Sequence, residues 1–342
     1  MTGMSFRIVD RPLAEAVGEQ RPQGPRWVVP PRAEGEIACI WARHALVGLP
    51  LFVPILPPGE TYIDDFQAYR RPKYDYLAHP SVTTAVARHL TRLADVQGTG
   101  CFVLGGSTNY YHWLIDFLPK CWMLTREPRL QVFPMLVNGG FSAMQRETLA
   151  FVVDSLGLAA PRVEPLGDGG FAAVAEAYLP TRVWRVAAVG FWRRVIERTI
   201  YEVAGPPQRR LFVIRAGTDR RRLRDEAALA ARLQRHGFEA VDPGSLPFVE
   251  QIKLFASARI VVGVHGAGLT NMIFSRRELT LIELRAPQNT TAYAAFATIR
   301  QQRYVEIPVT VEAEGHRDEA HRDVVLSAEG EAAVMRAIAE VR

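Results

Sequence analysis

The sequence predicts an α/β chain of two Rossmann-like domains, with parallel sheets facing one another across a cleft. Three observations predict it. From residue 206 onward, short apolar runs alternate regularly with segments of helical period. The same alternation, less clean, runs through residues 71–205. Glycines and prolines punctuate the boundaries, where strands have to turn into helices. Strands alternating with helices form a parallel sheet covered on both faces.

The bulk numbers suit this reading. The chain has 342 residues, 48% hydrophobic and 23% charged, enough for two domains of ordinary size. Net charge is +5 and the isoelectric point about 9.3, carried by arginine with very little lysine. That surplus suits an anionic ligand or an acidic membrane face and falls short of a nucleic-acid footprint. Cys39, Cys101 and Cys121 are odd in number and widely spaced, which argues against a disulfide framework or a zinc site. The start, MTGMSFRIVD, lacks the apolar core of a signal peptide. No apolar run approaches the roughly 20 residues that span a bilayer. The expectation is a cytoplasmic protein. Arginine-bearing helices such as FWRRVIERTIYEVAG would allow peripheral contact with the inner face of the membrane.

Residues 1–70 read as an irregular, Pro-rich leading segment packed on the first domain, with Trp27, Val28, Val29, Leu51, Phe52 and Val53 available for burial. The first domain proper spans 71–205. It holds a helix over 79–95 capped by Ser81, the buried strand GCFVLGG, and a helix from Asn109 to Arg126. There follow the strand QVFPMLVNG, a helix from the Ser142 cap to the Gly157 stop, the strand VAEAYLP, and a helix ending before Pro206-Pro207. The second domain, 206–342, carries five strands: RLFVIR, FEAVD, RIVVGV, TLIEL and YVEIPV. Helices over 225–237, 247–257, 267–274 and 290–301 separate them, and the C-terminal helix is free to cross back to the first domain.

Ligands of open parallel sheets sit beyond the carboxyl ends of the strands. RIVVGV ends in His265-Gly266-Ala267-Gly268. Glycines let a phosphate approach the backbone. The helix starting there offers unpaired N–H groups and a positive end, and His265 adds a donor. Neither a P-loop nor a dinucleotide GxGxxG is present, which disfavours a nicotinamide-dependent oxidoreductase. Arg215 ends RLFVIR at the same rim, suited to bidentate contact with phosphate. Glu283 closes TLIEL there, suited to accepting both hydroxyls of a ribose. Thr270 and Asn271, one turn on, either reach a diphosphate or sugar or cap the turn. Together these residues form a nucleotide-diphosphate constellation.

A second constellation is NYYHWLIDFLPK. His112 and Asp116, four apart, share a helix face, with Asn109 on the same stripe and placed to cap the helix. Buried without partners, such groups would cost about 1–3 kcal/mol each, so a cleft or a hydrogen-bonded network is expected around them.

Segments 210–284 (RLFVIRAGTDRRRLRDE, then GFEAVDPGSLPFVEQIKLFASARIVVGVHGAGLTNMIF, then LIEL) and NYYHWLIDFLPK resemble the family 61 glycosyltransferases over about a third of the chain. The resemblance implies a GT-B-type fold. It also implies inverting transfer of a sugar from a nucleotide donor without a bound catalytic metal, the donors including UDP-linked N-acetylglucosamine and pentoses. One departure is Asp225-Glu226, where the family commonly has Asn-Glu. Inverting transfer needs a base for the acceptor hydroxyl. Either Asp116 or His112 can serve while the other orients it, and Asp116 is favoured. Leaving-group charge would fall on Arg215, His265 and the helix start at Ala267. No Asp-x-Asp motif is present to cradle a metal. The partners implied are a nucleotide sugar and a glycan or glycoconjugate acceptor in polysaccharide or glycoconjugate synthesis, with no nucleic acid, no metal and no cofactor. The competing class is a non-catalytic nucleotide-sugar-binding subunit, which needs the second constellation for nothing.

Overall fold

The structure is a computed structural model that describes residues 7–8, 26–33, 36–48, 54–55, 60–61, 100–166, 171–197, 200–215, 218, 220–315 and 319–341. Two compact units divide between Phe191 and Trp192.

The first unit contains β1 (Arg7–Ile8), β2 (Arg26–Val29), β3 (Cys39–Gly48), β4 (Pro54–Ile55), β5 (Glu60–Thr61), β6 (Cys101–Gly105), β7 (Met135–Val137), β8 (Val163–Pro165) and β9 (Phe171–Pro180). β1 and β5 form a small parallel pair. The rest make a seven-stranded sheet of order β2-β3-β9-β6-β7-β8, with β4 also on β3. β9, β6, β7 and β8 run parallel, as expected, but β2, β3 and β4 add antiparallel pairings. The sheet is therefore mixed, and the leading segment supplies part of it. Ten-residue β3 pairs along its whole length with β9, and Cys39, Ile40, Ala42, Ala45 and Val47 are buried. Val29 is buried too. Leu51, Phe52, Val53 and the expected Ser81-capped helix lie outside the described residues, as does the Trp27 side chain. The helix over Ala143–Ser155 starts with the expected Ser142 cap, which the Gln145 side chain completes into a capping box.

In the parallel part, the chain leaves β6 toward β7 and β8 on one side while β9 flanks it on the other. This reversal is the position at which α/β sheets bind ligands. The segment carrying His112 and Asp116 follows β6 directly.

The second unit has β10 (Arg209–Val213), β11 (Phe238–Val241), β12 (Ala258–Val264), β13 (Thr280–Arg285) and β14 (Arg303–Pro308) in one fully parallel sheet. Its order is β11-β10-β12-β13-β14, a doubly wound arrangement whose strand order reverses between β10 and β12. β15 (Thr310–Val311) and β16 (Val324–Val325) form an antiparallel ribbon. The terminal helix Ala328–Ala339 packs on its own sheet: Val334, Ala337 and Ile338 share one apolar cluster with Phe212, Ile260 and Ile282. Ion pairs Arg232–Glu331 and Arg303–Glu340 fasten it there, so it does not leave this unit. Residues 192–205, assigned to the first domain by sequence, join the second unit, because fully buried Trp192 packs edge-on against Phe248 and Phe274 at 5.9 and 5.2 Å. Among the described residues, no helix is long and apolar enough to cross a membrane.

Candidate functional site

Arg215 and the His265 turn follow β10 and β12, the two strands at the reversal of the second sheet. Gly266 is extended (φ 175°, ψ 166°), and the residues after it wind into a 3-10 helix, Ala267–Phe274. A Cβ on Gly266 would lie 1.7 Å from a terminal nitrogen of Arg215. The guanidinium thus occupies the space that any other side chain would fill. Its Nε and second terminal nitrogen donate to the Arg220 carbonyl at 3.2 and 2.9 Å, and its backbone N–H donates to Glu226 at 3.2 Å. Burial, with the like charge of Arg221, pulls Arg215 down to about 10, so it remains a cation at neutral pH. A cation held this way favours an anionic partner.

Behind the turn runs a chain of polar contacts. His265 Nδ1 lies 2.5 Å from Glu283 Oε1, and the Tyr304 hydroxyl donates to Glu283 Oε2 at 2.6 Å. Tyr304 also reaches Glu306, which Arg285 grips through two bonds of 2.7 and 2.8 Å. Burial and the carboxylates of Glu283 and Glu306 push the Tyr304 phenol well above its usual range, which keeps it a donor. Tyr293 packs its ring 5.2 Å from His265 and donates to the Gly266 carbonyl at 2.6 Å.

Three expectations need correction. Glu283 is fully buried with its two oxygens engaged by His265 and Tyr304, so it faces the imidazole rather than a ribose. Thr270 and Asn271 are fully buried as well: Thr270 meets the Tyr293 hydroxyl at 3.5 Å, and Asn271 donates to Gln251 at 3.1 Å. They form the floor of the turn and not its ligand face. Arg215, His265, Gly266, Ala267 and Gly268 do gather at one edge.

In the first unit, Asn109 caps the helical segment, accepting from the backbone N–H groups of Tyr111 at 3.0 Å and His112 at 3.5 Å. The segment is not one uniform helix. A turn of α-helix (Tyr110–His112) passes into a π-helical stretch (Trp113–Phe117) and then a 3-10 turn (Leu118–Cys121). Local π-winding is rare and often marks functional sites. Buried Trp113 anchors the stretch through a 2.6 Å bond to Thr148. His112 Nδ1 and Asp116 Oδ2 are 2.8 Å apart, with side chains 23% and 14% exposed, so solvent reaches both. The Tyr111 ring meets the imidazole edge-on at 5.1 Å, and its hydroxyl bonds Arg185. Lys120 is buried, its ammonium over the Phe117 ring, and desolvation lowers it to about 8 against the supporting charge of Asp116. Among the described residues, no three His, Cys, Asp or Glu side chains are grouped to hold a metal ion. The three cysteines are free and buried.

His112, Asp116, Arg215 and the His265–Gly268 turn lie on a stretch that known proteins share. Residues 110–282 match the family described as Glycosyltransferase 61. The chain belongs to the glycosyltransferase 61 family. A run of 104 residues is 29% identical to the EGF domain-specific O-linked N-acetylglucosamine transferase of Drosophila melanogaster, covering 29% of this chain and 20% of that protein. The chain therefore matches about a fifth of that relative's length.

The glycosyltransferase 61 match begins beside the Asn109 cap and ends one residue before Glu283. It also contains the departure at Asp225. That residue adopts a left-handed conformation (φ 58°) at the start of the helix Glu226–Gln234, where Asn and Asp are the side chains best tolerated. The exchange is thus compatible with the backbone, and Glu226 is the residue that touches the site, through Arg215. Sequence reasoning missed Tyr293, Tyr304, Arg185 and Lys120. Of these, only Lys120 carried a signal, as the next residue on the His112–Asp116 stripe.

Proposed function

We propose that this glycosyltransferase 61 chain is an inverting, metal-independent enzyme of GT-B type. It would move a sugar from a UDP-linked donor to a hydroxyl of a glycan or glycoconjugate. The observation that carries the reading is the Arg215 guanidinium seated on Gly266, next to His265 and the start of a helix, where strand order reverses. Cation, imidazole and backbone donors then meet where a diphosphate leaving group needs its charge stabilised.

In this reading the acceptor hydroxyl gives its proton to the His112–Asp116 pair as its oxygen attacks the anomeric carbon. The bond from that carbon to the diphosphate oxygen breaks, configuration inverts, and the electron pair leaves with the nucleoside diphosphate. A hydrogen bond between Nδ1 and the carboxylate selects one imidazole tautomer and binds the two groups into one proton-accepting unit. The Drosophila relative's name, with its N-acetylglucosamine, makes UDP-N-acetylglucosamine the first donor to test.

The test is a donor screen by thermal shift followed by turnover. A donor at 100 times its dissociation constant adds about 2.7 kcal/mol of stability. Asp116→Asn should retain that stabilisation and lose turnover. Undiminished turnover would remove Asp116 from the mechanism. Donor binding without turnover in the unaltered chain, across acceptors, would favour a non-catalytic binding subunit.

A further inference from the structure

The contacts behind the turn suggest how donor binding changes the charge of the site. We propose that nucleoside-diphosphate binding at the His265–Gly266 turn takes up a proton onto His265, and that Glu283 is the positioning residue that allows it. The inference rests on the donor-site reading above and adds a proton linkage to it.

A ring nitrogen bonded to a carboxylate keeps its N–H there, so the imidazole's lone pair sits on Nε2. His265 retains a 10% exposed side chain, while Glu283 is fully sealed at 2.5 Å from Nδ1. Protonation at Nε2 would therefore create an imidazolium already matched by a fixed negative charge. The neighbours leave His265 as the group able to change state. The Tyr304 phenol is held protonated by burial and two carboxylates. The Tyr293 hydroxyl is committed to the Gly266 carbonyl. Glu306 is held ionised by Arg285. Arg215 is cationic and seated on the adjoining residue. Before a ligand arrives, this fixed positive charge one residue away weighs against a second cation at His265. An arriving diphosphate reverses that balance, because nearby negative charge favours the protonated ring.

The experiment is isothermal titration of UDP, GDP, CDP and ADP into the full chain at pH 7.5, in buffers of different ionisation enthalpy. The slope of observed heat against buffer enthalpy counts protons. The unaltered chain should show uptake, and His265→Gln should lose it, which also subtracts any proton change on the nucleotide. Glu283→Gln keeps a carbonyl for Nδ1–H without the charge, and should bind with a slope close to that of His265→Gln. Binding with the same slope in the unaltered chain and His265→Gln overturns the proposal and leaves the donor site standing. Failure of all four nucleotides to bind overturns both. Should Glu283→Gln not fold, Tyr304→Phe, which removes one donor from the same carboxylate, must alter the slope if the carboxylate sets it. An unaltered slope counts against the proposal.

Discussion

Replacing Gly266 by alanine tests the donor site through a single methyl group. The backbone there is extended, so alanine meets no conformational penalty. The methyl would nevertheless lie 1.7 and 2.9 Å from two guanidinium atoms, and its three nearest heavy atoms all belong to Arg215. A flexible side chain can swing away, so the chain should fold, giving up the bonds to the Arg220 carbonyl. Both ends of those bonds can be rehydrated, which limits the loss to about 1 kcal/mol. Anion binding should suffer more. A displaced guanidinium forfeits a charge-assisted bond to phosphate worth about 1.5–3 kcal/mol, or roughly ten- to 150-fold in affinity. Titration calorimetry with UDP on the unaltered chain, Gly266→Ala, Arg215→Ala and the double variant closes a thermodynamic cycle. Once Arg215 is truncated the methyl has nothing to displace, so the double variant should match Arg215→Ala. Additive losses would refute the argument, since Gly266 would then act by some route other than Arg215. Gly140→Ala, whose methyl would meet nothing within 4 Å, is the control and should leave UDP affinity unchanged.

Lys120 lies near 8 when folded against an ordinary 10.5. Between those values the unfolded chain binds more protons, so stability should rise with pH across that window and level off above it. At about 1.4 kcal/mol per pH unit the gap amounts to roughly 3 kcal/mol. Lys120→Met should therefore be the more stable chain in urea at pH 7 and lose most of that advantage near pH 10; equal midpoints at pH 7 would contradict the burial argument. Asn109→Ala should cost about 1 kcal/mol by removing the helix cap, while Asn109→Asp restores it; turnover that fails to recover with Asp would give Asn109 a role beyond capping. Turnover in a chelator should equal turnover without it, and dependence on added divalent cation would defeat the metal-free mechanism.

The second unit was legible in the sequence because its central strands, β12 and β13, are buried on both faces and read as nearly continuous apolar runs, and Gly237 marks the stop of the helix before β11. The first unit was less legible. Flanking prolines masked β3, whose residues Cys39–Gly48 show no period-two alternation because both of its faces hold buried residues, Cys39, Ala45 and Val47 on one and Ile40 and Ala42 on the other. Strand-end reasoning found Arg215 and His265, but their convergence comes from strand order, which no local pattern encodes. The same reasoning misjudged Glu283. It places a residue at a rim without saying which way the side chain points, and here the answer depends on Tyr304, supplied by the neighbouring strand.

Four residues, two histidines and two carboxylates, looked alike as candidates, and burial separates them. His112 and Asp116 both touch solvent, so either can meet a substrate hydroxyl, and the bond between them lets one set the state of the other. Glu283 touches none, so its charge acts through the groups bonded to it, His265 and Tyr304. Removing the Glu283 carboxylate takes the acceptor from the His265 ring N–H and one acceptor from the Tyr304 hydroxyl, and a buried donor left unmet costs about 1–3 kcal/mol. The sealed pair is therefore both a structural fastening and a fixed countercharge. Glu283→Ala should accordingly be lost largely to instability, whereas Asp116→Ala should fold and fail in chemistry. Environment, rather than residue type, divides proton transfer from charge stabilisation.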